Sequence, residues 1–376
     1  PAREPRVLPL RPTAPPLVCP AESVAGPACR CAGGWVRVSA IFALVGGGAV
    51  GQAVGMILLT GATGNTGGQV AALLKAAGVP FVVMARSEKA RAKLAGLGYE
   101  TVHGDFDRRD SLDAALSRGF TRAYVVCTPD ERMIPRECNF IDAAKAAGVK
   151  RVVKLSAFLA GPEAPTINLR SHGQIERRLM DSGMEWTIVR PHGFMQTFVL
   201  FSLDFVRGAG LYLHPAGDGA MPLVDVRDVA AVGVKALTED GHHGQEYNVT
   251  GPESLTYKAQ AQILARAFGR PVTYVAGGER GFVAVMKMLG VAPQSIEHAS
   301  IIMRMCREHR IDQKTDTLQR LGIVPRTFAQ FADDLVAGRT GGGNSFEPPD
   351  SPLVKAMGLG MQWFYRARFA LLGRPE

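Results

Sequence analysis

Between Met56 and Arg190, short apolar runs alternate with longer stretches whose apolar positions recur at helical spacing. The runs at 56–60, 80–85, 100–103, 122–127, 150–156 and 185–190 predict strands. The stretches near 66–77, 88–97, 110–118, 133–147 and 170–182 predict the helices between them. Phe81-Val82-Val83-Met84 and Ala123-Tyr124-Val125-Val126-Cys127 are apolar at successive positions, the pattern of parallel strands covered on both faces. Strand and helix in regular alternation predict an α/β fold, a doubly wound Rossmann-type parallel sheet. After Arg190-Pro191 the rhythm loosens, with a strand expected around 222–226, a helix from 227, a strand at 246–250, a helix at 255–268 and further helix to about 339. Residues 56–190 therefore read as a dinucleotide-binding unit. Residues 191–339 read as a smaller C-terminal region of the same domain, capping the carboxyl ends of the strands where substrate would sit.

The ends of the chain lack this order. Residues 1–37 are rich in Pro, Ala and Arg without hydrophobic period, and 1–55 are expected to be a disordered or artefactual extension. Val38 to Thr60 is uncharged and long enough to be a membrane-span candidate. However, Met56-Ile57-Leu58-Leu59-Thr60 is required as the first strand, and Gly46, Gly47, Gly48, Gly51 and Gly55 interrupt the remainder. A membrane role is not expected, and Met56 reads as the natural start. Thr340 to Ser345 reads as a linker, leading to an aromatic and basic tail around Trp363, Phe364 and Tyr365 that is expected to dock on its own domain, the alternative being a membrane surface.

Composition narrows the chemistry. The 376 residues, 47% of them hydrophobic, suffice for a sizeable core. The net charge of +9 comes with no Lys/Arg block interleaved with aromatics, so a nucleic-acid partner is not expected and an anionic cofactor accounts for the excess more simply. The six cysteines form no CxxC and no zinc-ligand spacing, so no metal is expected; Cys127 and Cys138 read as free thiols of a reducing, cytoplasmic compartment.

The candidate cofactor site begins at Gly61-Ala62-Thr63-Gly64-Asn65-Thr66-Gly67. These residues follow the first strand directly and precede an amphipathic helix, the context such a glycine pattern needs. Gly61 permits the tight turn, Gly64 lets backbone N–H groups approach a pyrophosphate, and Gly67 allows close helix packing with the helix N-terminus facing the anion. Thr63, Asn65 and Thr66 complete that cradle.

At the end of the second strand an NAD-specific site would carry Asp or Glu for the ribose hydroxyls. This chain has Met84-Ala85-Arg86-Ser87 instead, and the Arg86 guanidinium suits a 2′-phosphate, hence NADP(H); Lys89 and Arg91 read as solvated helix residues. Asp105 and Phe106 follow the third strand, where a carboxylate can accept from the adenine amino group and the backbone can bracket the ring. Asp105 reads equally as a turn or N-cap residue. Thr128 and Pro129, after the fourth strand, lie where the chain passes the cofactor ribose.

Taken together these residues resemble the NmrA-like group of atypical short-chain dehydrogenases, which includes NAD(P)H:quinone oxidoreductases and triphenylmethane reductases. The resemblance covers about 56–339. Besides the glycine turn, Arg86 and Gly104-Asp105, its carriers are Arg151-Val152-Val153-Lys154-Leu155-Ser156, His172-Gly173-Gln174-Ile175-Glu176, Arg190-Pro191-His192-Gly193-Phe194-Met195 and Val224 to Ala230. The resemblance implies that Pro191 to Phe194 wall the nicotinamide, and it adds Lys154, Pro191 and Phe194 to the cofactor site.

Ordinary short-chain dehydrogenases pair Ser with Tyr-x-x-x-Lys, so that a phenol lowered in pKa passes a proton as hydride arrives at carbon. No Tyr-x-x-x-Lys occurs here. By position Ser156 matches the Ser, while His172 and Glu176 stand where the Tyr and Lys would be. An electron-poor acceptor demands less, and His172, an imidazole titrating near neutrality, is the candidate proton donor, with Glu176 either orienting its ring or lying on the surface. The reading is an NADPH-dependent reductase of a quinone-like or other conjugated small molecule, bound between Pro191–Phe194, the loop 157–169 and the cap. The alternative is a non-catalytic NADP(H) sensor that meets a protein partner. A nucleotide-sugar or isomerase relative is disfavoured by the missing tyrosine.

Overall fold

The computed structural model describes residues 55–339 except Leu289; the expectations for 1–54 and for 340–376 lie outside the described residues. Seven parallel strands make one sheet. They are β1 (Ile57–Leu59), β2 (Phe81–Ala85), β3 (Thr101–His103), β4 (Arg122–Val125), β5 (Arg151–Leu155), β6 (Glu185–Pro191) and β9 (Gln245–Val249), in the order β3-β2-β1-β4-β5-β6-β9. Five helices connect the first six strands: α1 (Asn65–Ala76), α2 (Glu88–Gly96), α3 (Arg109–Leu116), α4 (Met133–Ala146) and α5 (Ile167–Met180). The doubly wound Rossmann-type fold expected from the alternation is what forms, and each of these elements lies within a few residues of its expected place.

Strand periodicity explains how the two faces are covered. Ile57 and Leu59 of β1 point into a core with Val70, Ala71 and Leu74 of α1 and with α8 (Val226–Thr238), whereas Leu58 between them packs with Leu112, Phe140 and Ile175 on the opposite face. Successive side chains of a strand alternate faces, so a strand sandwiched by helices must be apolar at every position. Sheet order reverses between β1 and β4, opening the crevice at the carboxyl ends where α/β proteins bind ligands.

The segment after Pro191 divides between two tasks. Gln245–Val249 joins the main sheet beside β6, and α8, capped by the Asp225 side chain accepting from Arg227 N–H, packs on α1. The rest forms the cap over the carboxyl ends: α6 (Met195–Phe201), α7 (Leu203–Ala209), β7 (Leu211–His214), β8 (Ala220–Met221), β10 (Leu255–Thr256), α9 (Tyr257–Phe268), β11 (Thr273–Ala276), α10 (Glu279–Met288), α11 (Pro293–Arg307) and α13 (Phe328–Val336), whereas α12 (Thr317–Arg320) packs on Gln245–Val249 with Leu318 in the main core. It has a core of its own, centred on Tyr212, Tyr257, Phe328 and Phe331.

Two differences from the expected pattern occur here. The strand expected at 222–226 is a two-residue strand, Ala220–Met221, paired with β10, and Val224 contributes only a single bridge to Phe194. Pro222 has no N–H to continue a ladder. Conversely, Leu211–His214, where no element was expected, and Thr273–Ala276, in a stretch expected to be helical, pair in parallel. Both runs are short, and β11 is only partly buried, so neither has a clear period.

Candidate functional site

The glycine turn has the geometry its sequence implies. Gly61 adopts φ +65°, a left-handed conformation costly for other residues, and a Cβ at Gly67 would lie 2.4 Å from the Gly61 carbonyl oxygen. α1 therefore starts against the strand end, with Gly64 at its N-cap. No side chain caps it and no acidic residue lies in its first turn. An uncapped helix start presents N–H groups and the positive end of the helix dipole, a fitting seat for a pyrophosphate.

A cavity of about 1140 Å³ runs from this turn across the sheet crevice and under the cap. Gly61, Thr63, Gly64, Asn65, Thr66 and Gly67 line one end together with Arg86, Asp105, Phe106, Thr128 and Pro129. Arg86 is exposed at the end of β2 and forms no ion pair with any described residue, which leaves its guanidinium for a phosphate. Ser87 beside it is committed to capping α2 through Ala90 N–H. Arg91 pairs with Glu88 at 2.9 Å, as a helix-surface residue does. Asp105 takes the turn role that its position allowed. One carboxylate oxygen accepts from Asp107 N–H to make a turn, and the residue still lines the cavity. Phe106 is braced by Phe140 at 4.9 Å between ring centroids.

Beyond the glycine turn the walls are Ser156, Pro191 and Phe194, then a chamber formed by Phe158, Leu159, Phe198, Phe282, Met286 and Ile302. Apart from Asp204, exposed on α7, this chamber is lined by apolar and aromatic side chains interrupted by hydroxyls and four histidines. Such walls suit a flat conjugated ligand, because desolvating it costs little while its rings replace water on apolar surface.

His172 reaches the cavity from α5, but its environment differs from the expected one. Burial pushes its pKa well below the ordinary value, and the neighbouring Lys154 and His298 add to the effect. It therefore does not titrate near neutrality. Its Nδ1 lies 3.4 Å from Lys154 Nζ. Lys154, expected to touch the cofactor, is instead fully buried behind the wall, with Nζ donating to Glu137 Oε2 at 2.6 Å and to the Leu155 carbonyl at 3.0 Å. An apolar parallel strand has no solvent-facing side, so a lysine in it must find an internal partner.

Glu176 neither orients His172 nor lies on the surface. Its buried carboxylate takes both forks of Arg190, at 2.9 and 2.6 Å, and also accepts from the Ser156 hydroxyl. The position four residues after His172 turns toward β6, where Arg190 waits. Ser156 thus lines the cavity while its hydroxyl proton points away, into a clamp that joins β5, α5 and β6.

Sequence reasoning missed His298 on α11, which lines the chamber and whose Nδ1 lies 2.9 Å from Thr166 Oγ1. It also missed Glu137, the partner of Lys154. A histidine in a helical stretch, Ile296 to Met303, whose positions 296, 299 and 301 to 303 are apolar, was the available signal for the first. Among the described residues no group of three or more potential ligands could hold a metal ion, and no helix is long and apolar enough to cross a membrane. Cys127, Cys138 and Cys306 are free thiols, each raised in pKa by burial.

A profile of the family described as NAD(P)H-binding matches residues 61–240. An NAD(P)H azoreductase from Xenophilus azovorans is 34% identical over 278 residues, 74% of this chain and 96% of that protein. A (4-alkanoyl-5-oxo-2,5-dihydrofuran-3-yl)methyl phosphate reductase from Streptomyces griseus is 41% identical over 221 residues, 58% of this chain and 76% of that one. Among solved structures, the NADPH-dependent quinone oxidoreductase of Escherichia coli complexed with NADPH superposes with a TM-score of 0.66 at 26% identity, covering 74% of this chain and 99% of the other. With the glycine turn, the strand order and these relatives in agreement, the chain belongs to the NAD(P)H-binding, NmrA-like family of atypical short-chain dehydrogenases.

Proposed function

We propose that the protein is an NADPH-dependent oxidoreductase that reduces a quinone-like or other conjugated small molecule in the chamber beneath the cap. The observation that carries this reading is the continuity of one cavity from the glycine turn to an apolar chamber large enough for a second, flat molecule. Its relatives named for reduction of azo compounds and quinones support the same class.

The uncapped N-terminus of α1, with Thr63, Asn65 and Thr66, would hold the pyrophosphate, and Arg86 the adenosine 2′-phosphate. Asp105, Phe106, Thr128 and Pro129 would flank the adenosine portion, while Pro191 and Phe194 would wall the nicotinamide. Bound there, the dihydronicotinamide supplies a hydride. The chain contributes position, exclusion of water and a hydrogen-bond donor for the oxygen or nitrogen that becomes electron-rich.

His172 is that donor. Paired with Glu137, Lys154 Nζ presents a proton to Nδ1, so Nδ1 accepts and the ring proton sits on Nε2. No described residue partners Nε2, which leaves it for the cavity. A neutral imidazole of fixed tautomer is a known electrophile for developing oxyanions, and its low pKa keeps it in that form across the physiological range. Ser156 serves in the clamp with Glu176 and Arg190 that holds α5, and hence His172, against the sheet. The test is NADPH consumption, followed by nicotinamide absorbance, with a panel of quinones and azo dyes. Saturable turnover with at least one supports the reading; NADPH binding without turnover favours the non-catalytic sensor.

A further inference from the structure

Four histidines line the cavity, and they are not equivalent. His192 is committed at both ring nitrogens, Nδ1 accepting from Gly193 N–H at 2.8 Å and Nε2 lying 3.1 Å from the Ile311 carbonyl. His214 Nε2 lies 3.0 Å from the Phe198 carbonyl and 3.3 Å from the Ser202 hydroxyl. His172 and His298 each have Nδ1 engaged by the protein and Nε2 without a described partner. They sit on α5 and α11, helices that pack together over the chamber.

The tautomer of His298 follows from its neighbour. Thr166 is fully buried at the N-cap of α5, and its Oγ1 already accepts from Leu169 N–H at 3.2 Å. Its hydroxyl proton needs an acceptor, and the atom within reach is His298 Nδ1 at 2.9 Å. Nδ1 therefore accepts, and Nε2 carries the proton. By a different device, a buried hydroxyl in place of a buried lysine, the second helix presents the same neutral N–H donor as the first.

We propose that His298 is a second substrate-contacting residue, which together with His172 holds one carbonyl oxygen of the acceptor between two Nε2–H donors. The proposal rests on the reductase reading and narrows it to acceptors carrying a carbonyl, quinones or conjugated enones. Two donors aimed at one oxygen favour the charge that develops on it as the ring or double bond takes up hydride. Both imidazoles are kept neutral by burial, so neither presents a cation that would bind a carboxylate instead.

The experiment measures binding of 1,4-naphthoquinone to the NADPH-free protein by calorimetry, and of NADPH separately, in wild type, His172→Phe, His298→Phe, His298→Gln and His172→Phe/His298→Phe. His298→Phe keeps the ring volume and loses the donor, and is expected to weaken naphthoquinone binding about tenfold while leaving NADPH affinity within about twofold. Gln restores a donor near the same place and should recover most of the loss, which also guards against misfolding of the Phe variant. The double variant should lose less than the product of the single effects, because both donors serve one atom. Unchanged naphthoquinone affinity in His298→Phe, or strictly multiplicative losses, would overturn the shared anchor while leaving the reductase reading intact. Wild-type protein that binds NADPH but neither binds nor reduces the quinone would overturn both.

Discussion

Lys154 Nζ lies 3.4 Å from His172 Nδ1, behind the cavity wall and out of contact with the cavity itself. The strand residue therefore acts on the site through the helix residue, by deciding which imidazole nitrogen carries the proton. Lys154→Met strands Glu137 in the interior and is expected to cost about 3–5 kcal/mol in urea unfolding. The double variant Lys154→Met/Glu137→Leu removes both charges and should regain most of that stability. It should still show ¹⁵N imidazole shifts of mixed tautomer at His172, together with a turnover number lowered about tenfold. A single Nε2–H tautomer in the double variant would show that Lys154 does not set it.

Arg86 stands where an NAD-specific site would place a carboxylate, and no described residue forms an ion pair with it. Arg86→Asp is expected to weaken NADPH binding by about 1.5–3 kcal/mol, the worth of a charge-assisted contact, while NADH binding holds or improves. Equal loss toward both cofactors, measured by fluorescence titration, would place the phosphate elsewhere.

Ser156 and Glu176 separate structure from chemistry. Glu176→Gln leaves Arg190 with only its partly exposed partner Glu246, and the expected cost is about 3 kcal/mol of stability. Ser156→Ala removes a hydroxyl whose proton serves that same clamp, so turnover should stay within about threefold of wild type and the main loss, about 1 kcal/mol, should appear in unfolding. A hundredfold fall in turnover for Ser156→Ala with unchanged stability would make the serine a proton donor after all.

The buried histidines set the acid limit of the fold. Burial holds His192 and His298 down to about 4 and His214 to about 3, and His172 is lowered as well. In the unfolded chain each protonates near 6.5, so there the unfolded state binds more protons and stability is lost as pH falls from 6.5 toward 4. Asp228 opposes this. Burial pushes its carboxyl up to about 7, so in the same window its contribution is lost as pH rises. His242, also lowered by burial, acts with the other four, so one group against five leaves a net fall in the urea midpoint between pH 7 and pH 5, and Asp228→Asn should make that fall steeper. A midpoint that rises on acidification through this window would contradict the neutral state of these imidazoles.

Much of this was legible in the sequence, for identifiable reasons. The strands of the main sheet announce themselves because burial on both faces demands apolar residues at every position, and the glycine turn because only glycine allows the Gly61 conformation and the Gly67 approach. The nucleotide end is local in sequence, each contact following the end of a strand. The substrate end is not. His298 meets Thr166 across 132 positions, and Lys154 meets Glu137 on a different element, so no spacing rule connects them. Glu176 shows the same limit, since a helix position four residues from His172 fixes a face but not whether Arg190 or solvent lies opposite it.

If cofactor and acceptor meet in one cavity and exchange a hydride there, anaerobic titration of the protein and NADPH with 1,4-naphthoquinone should remove NADPH absorbance mole for mole with added quinone. His172→Phe should slow the reaction about tenfold to a hundredfold without changing that ratio. Retention of full NADPH absorbance in the presence of tightly bound cofactor and excess quinone would contradict that exchange, and would leave the fold as a binder of the dinucleotide alone.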